Sequence, residues 1–193
     1  MLILYFAPGA SSMAVHIALH EIGVPFERRP ISFAKGEQHA PAFHALNPEG
    51  KVPTLVIDGQ PLTEVAAILF YLAKRYPAAG LLPRDHIEGE AQAISWMSFA
   101  ASTLHPARRG GVEQAMKVYA IADRKLAGKD WAIGAYSIAD IHLFRLFWRL
   151  VNSMSFARGT FPNLSAHYDR MMKRPAVQKT IEIENAIGYE LPE

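Results

Sequence analysis

The 193-residue chain contains no cysteine. That absence excludes a disulfide-stapled scaffold, a thiolate metal site and a cysteine nucleophile together. An excess of one charge is missing too. Twenty Lys and Arg face 18 Asp and Glu, a net charge of +2, too little for a protein that grips nucleic acid by its phosphates. The pairs Arg28-Arg29 and Arg108-Arg109 are too short to make a basic patch. Long apolar runs are lacking as well. Leu2–Phe6 stops at Ala7-Pro8-Gly9, and Arg145 and Arg149 interrupt Ile138–Val151, so nothing approaches the roughly 18 residues of a membrane span. A signal peptide needs early basic residues, and the first here is Arg28. The expectation is a cytoplasmic protein with neither nucleic acid nor membrane as partner.

Two chemical motifs fail on spacing. His16 and His20 stand at i, i+4, but the Glu of His-Glu-x-x-His and a third ligand are absent, so no metal is expected. No Gly-x-Ser-x-Gly elbow supports a hydrolytic triad around Ser11 and His105. What is present is a globular composition, 50% hydrophobic and 20% charged.

The first part of the chain alternates strand and helix patterns. Leu2–Phe6 reads as a buried strand ended by turn residues. Ser11 and Ser12 stand where a helix needs a cap, ahead of Val15, Ala18, Leu19 and Ile22 on one apolar face and Gly23 as a stop. Phe26–Phe33 supplies a second strand, and 34–50 reads as loop with one short helix. Val52–Ile57, Asp58-Gly59 and Gln60–Leu62 spell a hairpin. Thr63-Glu64 then opens a helix carrying Val65, Ile68, Leu69 and Leu72. The order β-α-β-α-β-β-α predicts an open sheet covered by helices. Beyond a linker at 77–85 only helical periods appear, at Ile87–Ala107, Val112–Leu126, Ile138–Val151, Leu164–Lys173 and Ala176–Asn185. Ser137-Ile138-Ala139-Asp140 has the spacing of a capping box. An α/β domain over 1–76 and an all-helical domain over 86–193 are therefore expected.

At this point the sequence resembles the glutathione transferase family, closest to its bacterial beta class, over essentially the whole chain. Four stretches carry the likeness: Tyr5…Pro8-Gly9-Ala10-Ser11-Ser12…His16-Ile17, Asn47-Pro48-Glu49-Gly50-Lys51-Val52-Pro53, Leu62-Thr63-Glu64-Val65-Ala66-Ala67-Ile68 with Tyr71-Leu72, and Gly134-Ala135-Tyr136-Ser137-Ile138-Ala139-Asp140. The resemblance implies a thioredoxin-like N-terminal domain, an all-α C-terminal domain and a homodimer. It implies a detoxifying transferase that joins the sulfur of glutathione, a co-substrate, to small hydrophobic electrophiles, with no further cofactor. Ser11, Ser12 and His105 are the catalytic candidates it implies. Tyr5, Lys35, Val52, Pro53, Glu64, Val65 and Ser98 are the substrate-binding ones, with a cis peptide bond before Pro53.

Physical reasons stand beside these assignments. A helix start offers free amides and a positive dipole end to an anionic thiolate. Backbone at Val52 can pair with an extended peptide, and Glu64 can receive an α-amino group. The chain also departs from the family pattern. Ser11 stands where the beta class usually has Cys, so mixed-disulfide chemistry is excluded, while a hydroxyl can still hold a thiolate. Val65 replaces a usual Gly or Ser, and Pro106 replaces a basic residue. The segment from His105 to Trp131 is short. These departures set against the enzyme a second reading, a transferase-like binding or regulatory protein without turnover.

Overall fold

The computed structural model describes residues 1–84, 86–157 and 159–190. Residue 85 of the expected linker and residues 191–193 of the expected helical domain lie outside that range. Two compact units are present: residues 1–72 together with the chain from Pro175 onward, and residues 73–174.

The first unit is built on a four-stranded sheet in the order β2-β1-β3-β4. Strand β1 (Leu2–Phe6) pairs in parallel with β2 (Glu27–Pro30) and antiparallel with β3 (Thr54–Ile57), which pairs antiparallel with β4 (Gln60–Thr63). Leu4 and Phe6 are fully buried while Ile3 and Tyr5 are half-buried, the two-residue period of a strand. Asp58 and Gly59 carry φ of 47° and 87°. Those are the two left-handed residues that a two-residue hairpin turn requires. Helix α1 (Ser12–Ile22) buries Met13, Ile17 and Leu19 and ends at Gly23, whose φ of 76° lets its amide donate to the Leu19 carbonyl at 3.0 Å. The second strand is shorter than the expected 26–33: it ends at Pro30, after which the Ile31 amide still donates to the Phe6 carbonyl at 2.7 Å while its side chain joins Ala7, Phe43 and Val52. The 34–50 segment holds a 3-10 turn (Glu37–His39) and a single helical turn, α2 (Pro41–His44). Helix α3 (Val65–Arg75) follows β4.

The last helix, α9 (Pro175–Ile187), belongs to this unit and packs on α1. Its periodicity had grouped it with the other helices of the second domain. An amphipathic period says that a face is buried, not against what.

The second unit is all-helical among the described residues. It contains α4 (Ile87–Phe99), α5 (His105–Ala107), α6 (Val112–Leu126), α7 (Ile138–Val151) and α8 (Pro162–Met172). The helix expected over 87–107 is not one α-helix. A π turn at Ala100–Leu104 separates α4 from α5, and the His105 amide donates to the Ala100 carbonyl, five residues back. Helix α7 is buried all round from Ile138 to Leu150, as a central helix must be. Its capping box is formed. The Ser137 hydroxyl accepts from the Ala139 amide, and the Asp140 carboxylate accepts from the Ser137 amide at 2.9 Å. Asp140 also accepts from the Ala132 amide at 2.8 Å and lies 3.0 Å from His167 Nε2, with both side chains fully buried.

Candidate active site

The sheet register gathers the candidate residues of the first unit at one end. Strand β1 ends at Phe6, and antiparallel β3 begins there, with Tyr5 opposite Thr54. Strand β4 returns to the same end, with Thr63 opposite Thr54. Residues just outside those pairs share the edge: the turn Ala7–Ser11 after β1, Val52-Pro53 before β3, and Glu64-Val65 after β4.

Ser11 sits at the start of α1 with φ −59° and ψ −22°, already helical, and its side chain does not cap the helix. Its hydroxyl donates instead to the Val52 carbonyl at 2.9 Å. The expected cap is thus corrected: a helical backbone turns Oγ away from the orphan amides and toward the neighbouring segment. The Val52–Pro53 bond is cis. Ser12 is fully buried, and its hydroxyl both accepts from the Ala7 amide at 3.1 Å and donates to the Ala7 carbonyl at 3.2 Å. Ser12 therefore braces the turn from inside. Glu64 is exposed and has φ 66°, a left-handed conformation that favours glycine. Its carbonyl starts α3 by accepting from the Ile68 amide at 2.9 Å. Val65 is buried.

Tyr5 and Lys35 lie further along. The Tyr5 hydroxyl accepts from the Arg29 guanidinium at 3.1 Å, and its ring stacks near Phe43. Lys35 is exposed, and its amide donates to the Ser32 hydroxyl at 3.2 Å. That hydroxyl donates to Glu190, whose carboxyl also takes the Ala34 amide at 2.9 Å and is held below its ordinary value chiefly by that amide.

The sequence reading missed Glu184. This fully buried carboxylate on α9 accepts from the Gly9 amide at 2.7 Å and lies 2.9 Å from His16 Nδ1. It fastens the turn that leads into Ser11. Burial lowers the His16 pKa to about 3, with the nearby Arg28 and Lys179 charges acting the same way. The ring is therefore neutral and donates its Nδ1 proton to the carboxylate. A signal existed, since Ala176, Val177, Thr180 and Glu184 form the buried stripe of α9, with a charged residue in an apolar period. His20 Nδ1 meets Thr180 Oγ1 at 3.1 Å, and among the described residues no group of three or more His, Asp or Glu side chains is placed to hold a metal ion.

In the second unit Ser98 is exposed on α4, and its carbonyl accepts from the Ser102 hydroxyl at 2.8 Å. The π turn then carries the chain to His105, which is half-buried. Its pKa is lowered to about 4, first by burial and then by Arg145, Arg109 and Arg108. Its imidazole is neutral at physiological pH, able to accept a proton but carrying no charge.

The comparisons agree with this architecture. Residues 1–74 match the description of the glutathione S-transferase N-terminal domain and residues 93–175 that of the C-terminal domain. Glutathione S-transferase GstA of Escherichia coli O157:H7 is 32% identical over 197 residues, which span 94% of this chain and 98% of that protein. Glutathione S-transferase GST-4.5 of Xanthomonas campestris is 30% identical over 202 residues, with 94% and 98% covered. A solved glutathione-S-transferase from Xylella fastidiosa superposes with a TM-score of 0.87 at 29% identity, over 96% of this chain and 99% of that one. A sphingomonad glutathione S-transferase complexed with glutathione gives 0.83 at 33% identity, over 95% and 98%. With this sheet, this helical unit and relatives matched over nearly their whole length, the chain belongs to the glutathione S-transferase family.

Proposed function

We propose that this glutathione transferase joins the glutathione sulfur to a small hydrophobic electrophile, and that the Ser11 hydroxyl holds the thiolate. One observation carries the assignment: Ser11 stands at a helix start with its hydroxyl on the Val52 carbonyl rather than on the helix. An extended peptide bound along Val52 can donate its own amide to that carbonyl and release the hydroxyl for the sulfur. An ordinary thiol titrates near pKa ~8.5, and useful reactivity at neutral pH needs it about two units lower, or ~2.7 kcal/mol. A hydroxyl donated to an anion contributes about 1.5–3 kcal/mol, and the helix N-terminus about 0.3–1 more. Ser11 and the helix end together suffice, without Ser11 ionising or attacking.

Glu64 then receives the α-amino group of glutathione while the Val65 amide faces its carboxylate, and Tyr5, Lys35 and Pro53 complete the peptide site. Ser98 and His105 keep the role that the family pattern implies, polar groups toward the electrophile. The serine in place of the usual cysteine excludes a mixed disulfide between protein and glutathione. We further assign a homodimer, for which exposed Phe70 on α3 and Ile87 and Ile94 on α4 offer apolar area, and a detoxifying role in the cytoplasm. The glutathione-binding domain runs to about 76 and the helical domain starts near 86, with α9 returned to the first unit.

The test is the ultraviolet thiolate absorbance of bound glutathione, titrated in wild type, Ser11→Ala and Ser12→Ala. Ser11→Ala should bind glutathione yet raise the thiol pKa by about one to two units, at ~1.36 kcal/mol per unit. Ser12→Ala should leave that pKa alone and cost stability, about 1–3 kcal/mol for the orphaned Ala7 groups. Superimposable titrations of wild type and Ser11→Ala would reject the assignment.

A further inference from the structure

The chain leaving α9 is turned onto a loop of the first unit. Gly188 takes φ 100°, and its amide donates to the Glu184 carbonyl at 3.1 Å, the left-handed stop that bends a chain off a helix. The Tyr189 hydroxyl donates back to the Ile181 carbonyl at 3.3 Å, which ties the turned segment to the helix it has left. Glu190 then meets the loop that follows β2. One of its carboxylate oxygens accepts from the Ser32 hydroxyl at 2.7 Å, and the other accepts from the Ala34 amide at 2.9 Å.

That loop is a tight one. The Ser32 amide donates to the Glu37 carboxylate at 2.8 Å, the Glu37 amide to the Ser32 carbonyl at 3.1 Å, and the Gly36 amide to the Phe33 carbonyl at 3.0 Å. Phe33 packs at its base beside Ile31, Phe43 and Val52, while Ala34 and Lys35 are its exposed residues. The Lys35 amide donates to the Ser32 hydroxyl at 3.2 Å. Lys35 backbone, Ser32 hydroxyl and Glu190 carboxylate therefore form one relay, in which each hydrogen bond polarises the next. The Glu190 carboxyl is held below its ordinary value by the Ala34 amide first and the Ser32 hydroxyl second, with the Phe33 amide and the Lys35 charge acting the same way. Every group that lowers it belongs to residues 32–35. A carboxylate that met only the Lys35 ammonium across solvent would add little. Here donors fixed on one short loop converge on it, and what they fix is the backbone that carries Lys35.

We propose that Glu190 is a positioning residue for glutathione, a clasp that holds the Ser32–Lys35 loop so that the Lys35 cation is presented to the bound peptide. A loop ordered beforehand spares the entropy of ordering it on binding. Glu184 fastens the Gly9 turn ahead of Ser11, so α9 and the residues after it hold the site at two places, the thiol end and the peptide end. The inference rests on the transferase reading above, which puts Lys35 in the peptide site.

Glutathione is titrated calorimetrically into wild type, Glu190→Ala, Glu190→Gln and Ser32→Ala, each checked for folding by circular dichroism. Hydrogen exchange of the Ala34 and Lys35 amides is followed without ligand. Glu190→Ala should bind glutathione about three- to tenfold more weakly, and its two amides should exchange about tenfold faster. Glu190→Gln keeps an oxygen that accepts one of the two donors, so it should fall between Ala and wild type. Ser32→Ala opens the clasp from the other side and should weaken binding as well. The pKa of the bound thiol, set at Ser11, should stay at its wild-type value in all of them. A general loosening of the unit would move that pKa too, so a thiol pKa displaced together with affinity overturns the proposal. Equal affinity in wild type and folded Glu190→Ala overturns it, as do unchanged exchange rates. Should Glu190→Ala not fold, Ser32→Ala decides by the same readings. A wild type that binds no glutathione refutes the transferase reading and this use of the clasp with it, whereas binding equal across the variants refutes the clasp alone.

Discussion

Glu64 is held at φ 66°, a conformation that costs an L residue about 1–2 kcal/mol. A glycine would sit there without strain, so a carboxylate kept at that cost points to use at the rim of the sheet. Glu64→Ala should weaken glutathione by about 10–100-fold, the loss of a charge-assisted contact of about 1.5–3 kcal/mol. Glu64→Gly should lose the same affinity yet equal or exceed wild-type stability by up to about 1 kcal/mol. Calorimetric titration and thermal melts read the two effects separately, and unchanged affinity in either variant would remove Glu64 from the site. The same scale shows where reading residues along the chain reaches its limit. A serine ahead of a helix has two acceptable uses, a cap or a bond to another segment. Which one wins at Ser11 is decided by a carbonyl at Val52, far along the chain.

Between elements, the Glu184 link from α9 to the turn before α1 is a fully buried polar tie within the first unit. Its removal in Glu184→Ala strands the Gly9 amide and the His16 donor in a dry interior, and should cost about 2–5 kcal/mol. Glu184→Gln still offers an oxygen to Gly9, so it should recover part of that loss. Denaturant unfolding of the three proteins checks the order, and a Gln variant no better than Ala would show that the Gly9 bond contributes little. Elements whose causes are local were legible in the sequence. The Asp58-Gly59 hairpin and the Ser137–Asp140 cap each depend on residues within one turn, and both formed. The π turn at Ala100–Leu104 escaped because one inserted residue barely disturbs an apolar period. Glu184 escaped because its partners are more than 160 residues away. The family pattern singles out His105 in the sequence, whereas Arg145 and Arg149, which line one small cavity with it, show in α7 only as interruptions of an apolar run.

For the molecule as a whole, buried and half-buried histidines oppose acid. His16 and His142 are lowered to about 3, and His20 and His105 to about 4, with burial the first cause in each. Their folded values lie below the unfolded value near 6.5. The stability they represent is therefore complete above pH ~6.5 and is lost as pH falls, because the unfolded chain takes up protons that the folded one refuses. A fully buried histidine loses about 1.4 kcal/mol per pH unit in that window. Both ring nitrogens of His142 lack a hydrogen-bond partner among the described residues. His142→Leu should accordingly be no less stable than wild type at pH 7 and lose about 1–2 kcal/mol less by pH 5. Urea unfolding at the two pH values measures this, and parallel losses in both proteins would contradict it. The return of the chain from Pro175 onward to the first unit has a consequence for synthesis. On the ribosome α1 is made well before α9, and until α9 emerges the face of α1 that it covers lies open to chaperones and proteases. A stop codon ahead of Pro175 would thus leave the first unit, and not only the helical one, without a part of its own packing.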